Sequence, residues 1–538
     1  PAPASRRVWI VLRYALLWLV LVGAFAGLRS HTFKSAILHD EGIFIYAGQA
    51  WADGQTPYRD FWDHKPPNIF LFHSLPLRFF SWSREAVLIH ELLWLALAGT
   101  LFAAACRLYL SRFATLVALA GLVFFTSSWI TIRSGGLTEE SALSFVALSY
   151  LFALRPSQKE WRDAFLAGLF LGIAAQFRQT FAPSMLFLAL AVLWRNRRVG
   201  TGLRPLIVAW LLTGLGFAVP EFFWSAWFAL KGVWWQYFEG SYLFNFMYVG
   251  AGTDAFRGLL DSWGEHMRVL KDTGPVLAAP ALAVVLSPWL TRDRIWLLAL
   301  ALVAFVCEFT PVNLSGEFYH HYYVQAAVSC CLLLALAGQS IWNLVTAPFR
   351  RDPARRMAVW RIGAGVIVTV GVIVATVKLT RGAVRVYVER YQSVVRKMDR
   401  PVGDYRLQQD LAAAIPALVE PDERILLLGV QPNACYFAGR RYAGARYYHN
   451  SPLFKQKFQE HISEDMEKRM LDDLREHQPV LLLLGTIEGE QRTRGMEIFD
   501  QRPAAAFLRP YVEEHYVDFE TAVARAPFAW RWYGRDCS

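Results

Sequence analysis

Apolar runs of about 15 to 25 residues, close to the roughly 20 needed to cross a bilayer, recur along this chain from residue 8 to residue 379. In lipid every backbone N–H and C=O must be satisfied within the protein, so such a series folds as a bundle of helices. The runs fall near 8–28, 86–105, 113–131, 138–154, 163–178, 180–194, 205–229, 273–290, 295–311, 322–343 and 359–379, about eleven crossings. Composition agrees, with 55% hydrophobic and only 18% charged residues, against roughly 25% charged in soluble domains. The first run follows Arg6 and Arg7 and holds AFA at 24–26, which also suits a signal peptide, but its length marks it as an anchor.

Charge sets the topology. Arg107 and Arg112, RPSQKEWR (155–162), RNRR (195–198), RDR (292–294) and FRRDPARR (349–356) all fall on the side where the first run starts. Cytoplasmic links collect Lys and Arg, so that side is the cytoplasmic one. The net charge of +11 is therefore a topology signal spread over short links, not a tract for nucleic acid. The opposite face receives 29–85, RSGGLTEE (133–140), QFRQT (176–180), a link over 231–272, GEFYHH (316–321) and all that follows 380. That face is expected to be the outer side of an inner membrane, the periplasm of a Gram-negative cell or its equivalent.

The organisation that results is a transmembrane domain over 1–380 with a first external loop at 29–85, a connector at 381–399 and an extracytoplasmic α/β domain over 400–538. In the last part DLAAAIPALV and MEKRMLDDLREH read as helices, RILLLG and VLLLLG as short strands. The six cysteines, Cys106, Cys307, Cys330, Cys331, Cys435 and Cys537, form no CxxC and no Cys/His spacing for structural zinc. Cys435 and Cys537, both in the exported domain, can pair in an oxidising compartment. No GxxxxGK[ST] loop is present, so nucleotide hydrolysis has no support.

The most polar stretch near the first anchor is HDEGIFIYAGQAWADGQTPYRDFWDHKPPN (39–68). Ile43, Ala47, Ala50 and Trp51 recur at helical spacing, which predicts a short amphipathic helix on the membrane surface. DGQTP (53–57) turns the chain, and the prolines of KPPN open a second helix, because proline suits a first helical turn. A lysine beside a helix N-terminus is suited to an anion, phosphate above all. The acidic pair at the other end of the loop supplies a base for a hydroxyl proton.

DEG followed by GQAWADGQTPYRDFWDHKPPN resembles the first external loop of the type C glycosyltransferase superfamily, in the branch of protein O-mannosyltransferases and the lipid A aminoarabinose transferase. The resemblance covers roughly residues 8–380 and implies a polytopic enzyme that moves a sugar, usually with inversion, from a polyprenyl-phosphate donor to an acceptor. Asp40 matches the family's catalytic base, with Glu41 following it, and Lys65 matches the lysine on the lipid phosphate. Asp63 lies where a second acid stands, although His64 intervenes where some relatives carry Glu. Glu139, with Glu140 as alternative, matches the acid of the second external loop that aids the acceptor or a metal. Arg178 faces the phosphate, and His320, His321 and Tyr322 line the donor cavity. A divalent ion, Mg or Mn, held by Asp40 and Glu139 is the one cofactor the family suggests.

Each of these residues has a plainer alternative. Asp40 and Glu41 can be solvated acids, Lys65 a snorkelling lysine, Arg178 a headgroup contact, Glu139 and Glu140 first-turn acids of a helix, and the histidines part of an aromatic belt. The Trp-rich stretch at 231–248 is either an interfacial helix or an acceptor wall. The rival functions are a flippase for a lipid-linked sugar and a membrane-anchored sensor. Transporters place ionisable groups at mid-membrane, whereas here they fall mostly in external loops, which favours the enzyme.

Overall fold

The computed structural model describes residues 4–250, apart from 36, 38, 133, 158 and 201, then 264, 275–313, 319–346, 413–428, 436–449, 464–488, 491–494, 499–500 and 503–516. The expected crossing at 359–379, the connector at 381–399, Cys435 and Cys537 lie outside these residues. The chain divides into two compact units, one of residues 1–59 and 63–410, the other of 60–62 and 411–538.

The first unit is helical: α1 (Ala4–Leu28), α2 (His39–Ala52), α3 (Asn68–Phe79), α4 (Arg84–Cys106), α5 (Arg112–Phe125), α6 (Trp129–Ile132), α7 (Thr138–Leu154), α8 (Glu160–Ala175), α9 (Met185–Val199) and α10 (Leu203–Leu230). Later helices run over Pro275–Val285, Arg292–Phe309 and Ala327–Thr346. Among the described residues five helical segments are long and apolar enough to cross a membrane, Val11–Leu28, Arg84–Cys106, Leu203–Leu230, Arg292–Val312 and His320–Thr346.

The run at 138–154 forms a helix with those bounds, while the runs at 113–131, 163–178 and 180–194 form helices of 14, 16 and 15 residues with shifted or shortened ends, and the run at 273–290 one of 11. The reason is local. The Thr126–Ser128 turn stops α5 short of its run, a turn at Gln176–Phe177 ends α8, and a 3-10 helix over Gln179–Ser184 uses up the start of the next run. The Trp-rich stretch forms a helix at Trp234–Phe238, a π-helical turn at Glu239–Leu243 and a helix from Phe244 to Gly250. In it Trp234 and Trp235 are exposed while Tyr237 is buried.

The first external loop departs from expectation in one respect. α2 does form, but residues 41–50 are all buried, so it is an internal helix and not a surface one. Its polar face is covered because α3 crosses it closely: a Cβ on Gly48 would lie 2.6 Å from the Cβ of His73 and 2.8 Å from its carbonyl carbon. Pro67 opens α3 as expected. It already has helical φ −69° and ψ −22°, and its carbonyl accepts from the Leu71 N–H at 3.1 Å.

The second unit is a small α/β arrangement, as the alternating pattern predicts. Strands β1 (Ile425–Leu428) and β2 (Leu481–Glu488) pair in parallel with Ile425 opposite Leu481, and β3 (Gln491–Arg494) adds antiparallel to β2. The helix Glu464–His477 precedes β2 and carries Asp473, whose carboxylate accepts from the Arg446 backbone N–H at 2.9 Å and from its guanidinium at 2.8 and 2.7 Å. β1 is buried on both faces, which explains its unbroken leucines.

Candidate active site

Five segments of the first unit converge: the start of α2 with Asp40, the loop of Asp63, His64 and Lys65 before α3, the first turn of α7 with Glu139, the turn of Arg178 to Thr180 after α8, and a 3-10 helix over His320–Ala326. Nε2 of His321 stands 3.4 Å from Oδ2 of Asp40, whose side chain is 41% exposed and so open to a substrate. Glu139 forms an ion pair with Arg178 and accepts from the Thr138 hydroxyl at 2.8 Å. The Arg178 guanidinium lies 3.9 Å over the ring of Tyr322 and donates from Nε to Thr180 Oγ1 at 3.0 Å. Thr180 in turn donates to Gln325 Oε1 at 2.6 Å, tying the two loops together. His320 is half-buried at the start of the same 3-10 helix.

The Lys65 loop is fixed through its backbone. The Lys65 N–H and the His64 ring both meet Oδ1 of Asp63, at 3.0 and 3.1 Å, and the Tyr58 hydroxyl donates to the Lys65 carbonyl at 2.7 Å. Tyr58 itself is buried with φ +67°, a left-handed conformation that a tyrosine holds only when its surroundings impose it. Those surroundings are the rings of Phe70, Phe228 and Tyr237, with a 2.8 Å hydrogen bond from Ser241. The Lys65 ammonium makes no hydrogen bond or ion pair among the described residues. Burial, and then Arg178, push it below the ordinary lysine value, while Asp63, Glu139 and Asp40 oppose that shift. An anion placed there relieves both effects. Burial, and then Lys65, likewise lower His64.

Two expected site residues go elsewhere. Glu41 is buried and accepts from Arg84 at 2.6 and 2.9 Å, so it is a structural partner, and burial raises its carboxyl despite that arginine. Glu140 is buried against Arg29 at 2.5 Å, and Arg29 also meets Glu91 at 3.1 Å and donates to the Thr126 carbonyl at 2.9 Å. Neighbours in a helix point about 100° apart, so of each acidic pair only one member faces the site. Gly135 and Gly136, at φ +89° and +74°, let the chain turn over this cluster, and the Gly136 N–H donates to Glu91 at 2.8 Å.

Sequence reading missed the supports: Tyr58, Arg29, Glu91, and two further acids inside apolar helices. Glu221 in α10 accepts from Gln176 at 2.8 Å, Ser225 at 2.9 Å, Tyr237 at 2.8 Å and Tyr242. Glu308 accepts from Tyr150 at 2.7 Å and Ser329 at 2.6 Å. A carboxyl within an apolar run was the available signal; Glu91, Glu221 and Glu308 are exceptions to the expectation that ionisable residues fall mostly in external loops. Each is satisfied by fixed donors, as a structural group is.

A divalent ion does not fit well here. Glu139 is committed to Arg178, Lys65 and Arg178 supply positive charge nearby, and no group of three His, Cys, Asp or Glu able to hold a metal occurs among the described residues.

No family model and no curated protein matches the chain. Solved structures similar to it include two of one protein. One is ArnT from Cupriavidus metallidurans bound to undecaprenyl phosphate, 16% identical over 81% of this chain and 85% of that one, with a TM-score of 0.47. The other is the same protein in the apo state, 14% identical over 82% and 86%, with a TM-score of 0.43.

Proposed function

We propose that this chain is a membrane glycosyltransferase that moves a sugar, with inversion, from a polyprenyl-phosphate donor to an acceptor hydroxyl at the outer face of the inner membrane. The observation that carries the reading is Lys65: a partly buried ammonium without an ion-pair partner among the described residues, beside Arg178 and within reach of the field of Asp40. Two cations close enough to raise each other's cost suit a phosphate, and a nearby part-exposed carboxylate suits a hydroxyl.

In this mechanism Asp40 takes the acceptor's hydroxyl proton, the acceptor oxygen bonds to the sugar's anomeric carbon, and the bond from that carbon to the phosphate oxygen breaks. The lipid phosphate leaves with the electron pair, its charge met by Lys65 and Arg178. His321 holds the Asp40 carboxylate, Glu139 fixes Arg178, and Tyr322 backs the guanidinium with its ring face. Phosphate is a competent leaving group, so no general acid is required.

Sugar transfer and donor binding by purified variants test this. Asp40→Asn keeps shape and donor binding but should lower transfer by about 10²- to 10⁴-fold, and Lys65→Ala should raise the donor concentration needed, with Lys65→Arg milder. Near wild-type transfer by Asp40→Asn, or unchanged donor dependence in Lys65→Ala, overturns the assignment.

A further inference from the structure

A cavity of about 530 Å³ lies between α9 and the Arg292–Phe309 helix. α9 starts at Met185, next to the turn that carries Arg178, and the second helix ends at Phe309, toward the His320 segment. The charged end of the cavity, at Arg197 and Arg292, lies roughly 18 and 26 Å along the helix axes from Met185 and Phe309, the ends nearer the candidate active site. It is therefore a separate place, at the mouth formed by the basic links 195–198 and 292–294.

Both walls change character in step. On α9, Arg197 is followed one turn inward by Leu193 and two turns inward by Leu190; on the other helix, Arg292 is followed by Trp296, then Leu300 and Val303. Spacings of three and four keep each set on one helix face. The groove thus runs from cationic to apolar within about three turns, roughly 16 Å. Arg198 is held by Asp293 at 3.2 Å and by the rings of Trp194 and Tyr109 at 5.1 and 5.6 Å. Arg197 and Arg292 are exposed and make no ion pair or hydrogen bond among the described residues. Trp296, 48% exposed, stands between the charged and apolar parts, the place an interfacial tryptophan takes.

We propose that this groove binds one anionic glycerophospholipid of the basic-link leaflet, its phosphate between Arg197 and Arg292 and its upper acyl chains along Leu193 and Val303. The charge asks for an anion, and the continuous apolar floor asks for chains attached to it. A soluble phosphate would leave that floor uncovered.

Native mass spectrometry of the full chain in detergent, titrated with phosphatidylglycerol or phosphatidylcholine, reads the site. Phosphatidylglycerol should be retained preferentially. Each cation near such a surface contributes about fivefold, so Arg197→Ala with Arg292→Ala should weaken phosphatidylglycerol binding roughly 30-fold while leaving phosphatidylcholine unchanged. The Lys pair at the same positions should stay within a few fold of wild type. Should the Ala pair not fold, Arg197→Glu alone, at an exposed position, should show at least the single-site loss. Equal retention of the two lipids, or full phosphatidylglycerol binding by the charge-removing variants, overturns the proposal. So does displacement of the lipid by soluble glycerol phosphate at matching concentration, which would make the site an anion site without chains.

Discussion

Removal of Arg29 tests the frame on which Glu139 is mounted. Arg29 is 1% exposed and faces two carboxyl groups, Glu91 and Glu140, that are 2% and 0% exposed. Arg29→Met keeps the volume but leaves both acids buried with no cation, and deleting one partner of a buried pair costs about 3 to 5 kcal/mol. Glu140→Gln behaves differently: its amide oxygen still accepts from Arg29, Glu91 still pairs with the guanidinium, and one buried charge disappears, so the expected cost is about 1 kcal/mol or less. The assay is unfolding in mixed micelles by titration with a denaturing detergent, followed by tryptophan fluorescence. Because Glu139 and Glu140 share the first turn of α7, Arg29→Met should also reduce sugar transfer in the protein that remains folded. A cost within about 1 kcal/mol of wild type for Arg29→Met, or an equal cost for Glu140→Gln, would refute the argument that buried charge balance governs this cluster.

Gly48→Ala should lower the thermal midpoint by the equivalent of about 1 to 3 kcal/mol, because its Cβ would meet α3 at 2.6 Å; an unchanged midpoint would show that the helices part freely. His73 is fully buried, donates from Nδ1 to the Ile69 carbonyl at 2.9 Å, and is pushed down to about 4 by burial. The unfolded chain therefore takes up its proton first as pH falls, so about 3 kcal/mol of stability should be lost between pH 6.5 and 4 and be absent from the profile of His73→Phe. Lys65 should bind donor fully below its own pKa, and affinity should fall as pH rises through a value lower than lysine's ordinary 10.5. Lys65→Arg should move that fall out of the measurable range, and titration curves that coincide for the two proteins would remove Lys65 from the phosphate.

Local order was legible in the chain. The apolar runs became helices because hydrogen bonds within four residues and a period of 3.6 are properties of the segment alone. KPPN opened α3 with Pro67 as its cap, and the short apolar runs RILLLG and VLLLLG marked the strands β1 and β2, although their pairing across 56 residues is not a local property. Where helices end inside a run was less legible: the polar Thr126–Ser128 turn is the break within the 113–131 run, and a span average over that run hides these three hydroxyl residues. The partners of the charges could not be read at all. Glu139 meets Arg178, 39 positions away, and Glu140 meets Arg29, 111 positions away, so two adjacent acids of one type received opposite roles. Likewise Asp40 stayed open to solvent while Glu41 was buried against Arg84, and α2 was buried over residues 41–50 instead of lying on a surface. A carboxylate's role follows from which cation and how much water surround it, and both are set by the segments packed against it, not by its neighbours in sequence.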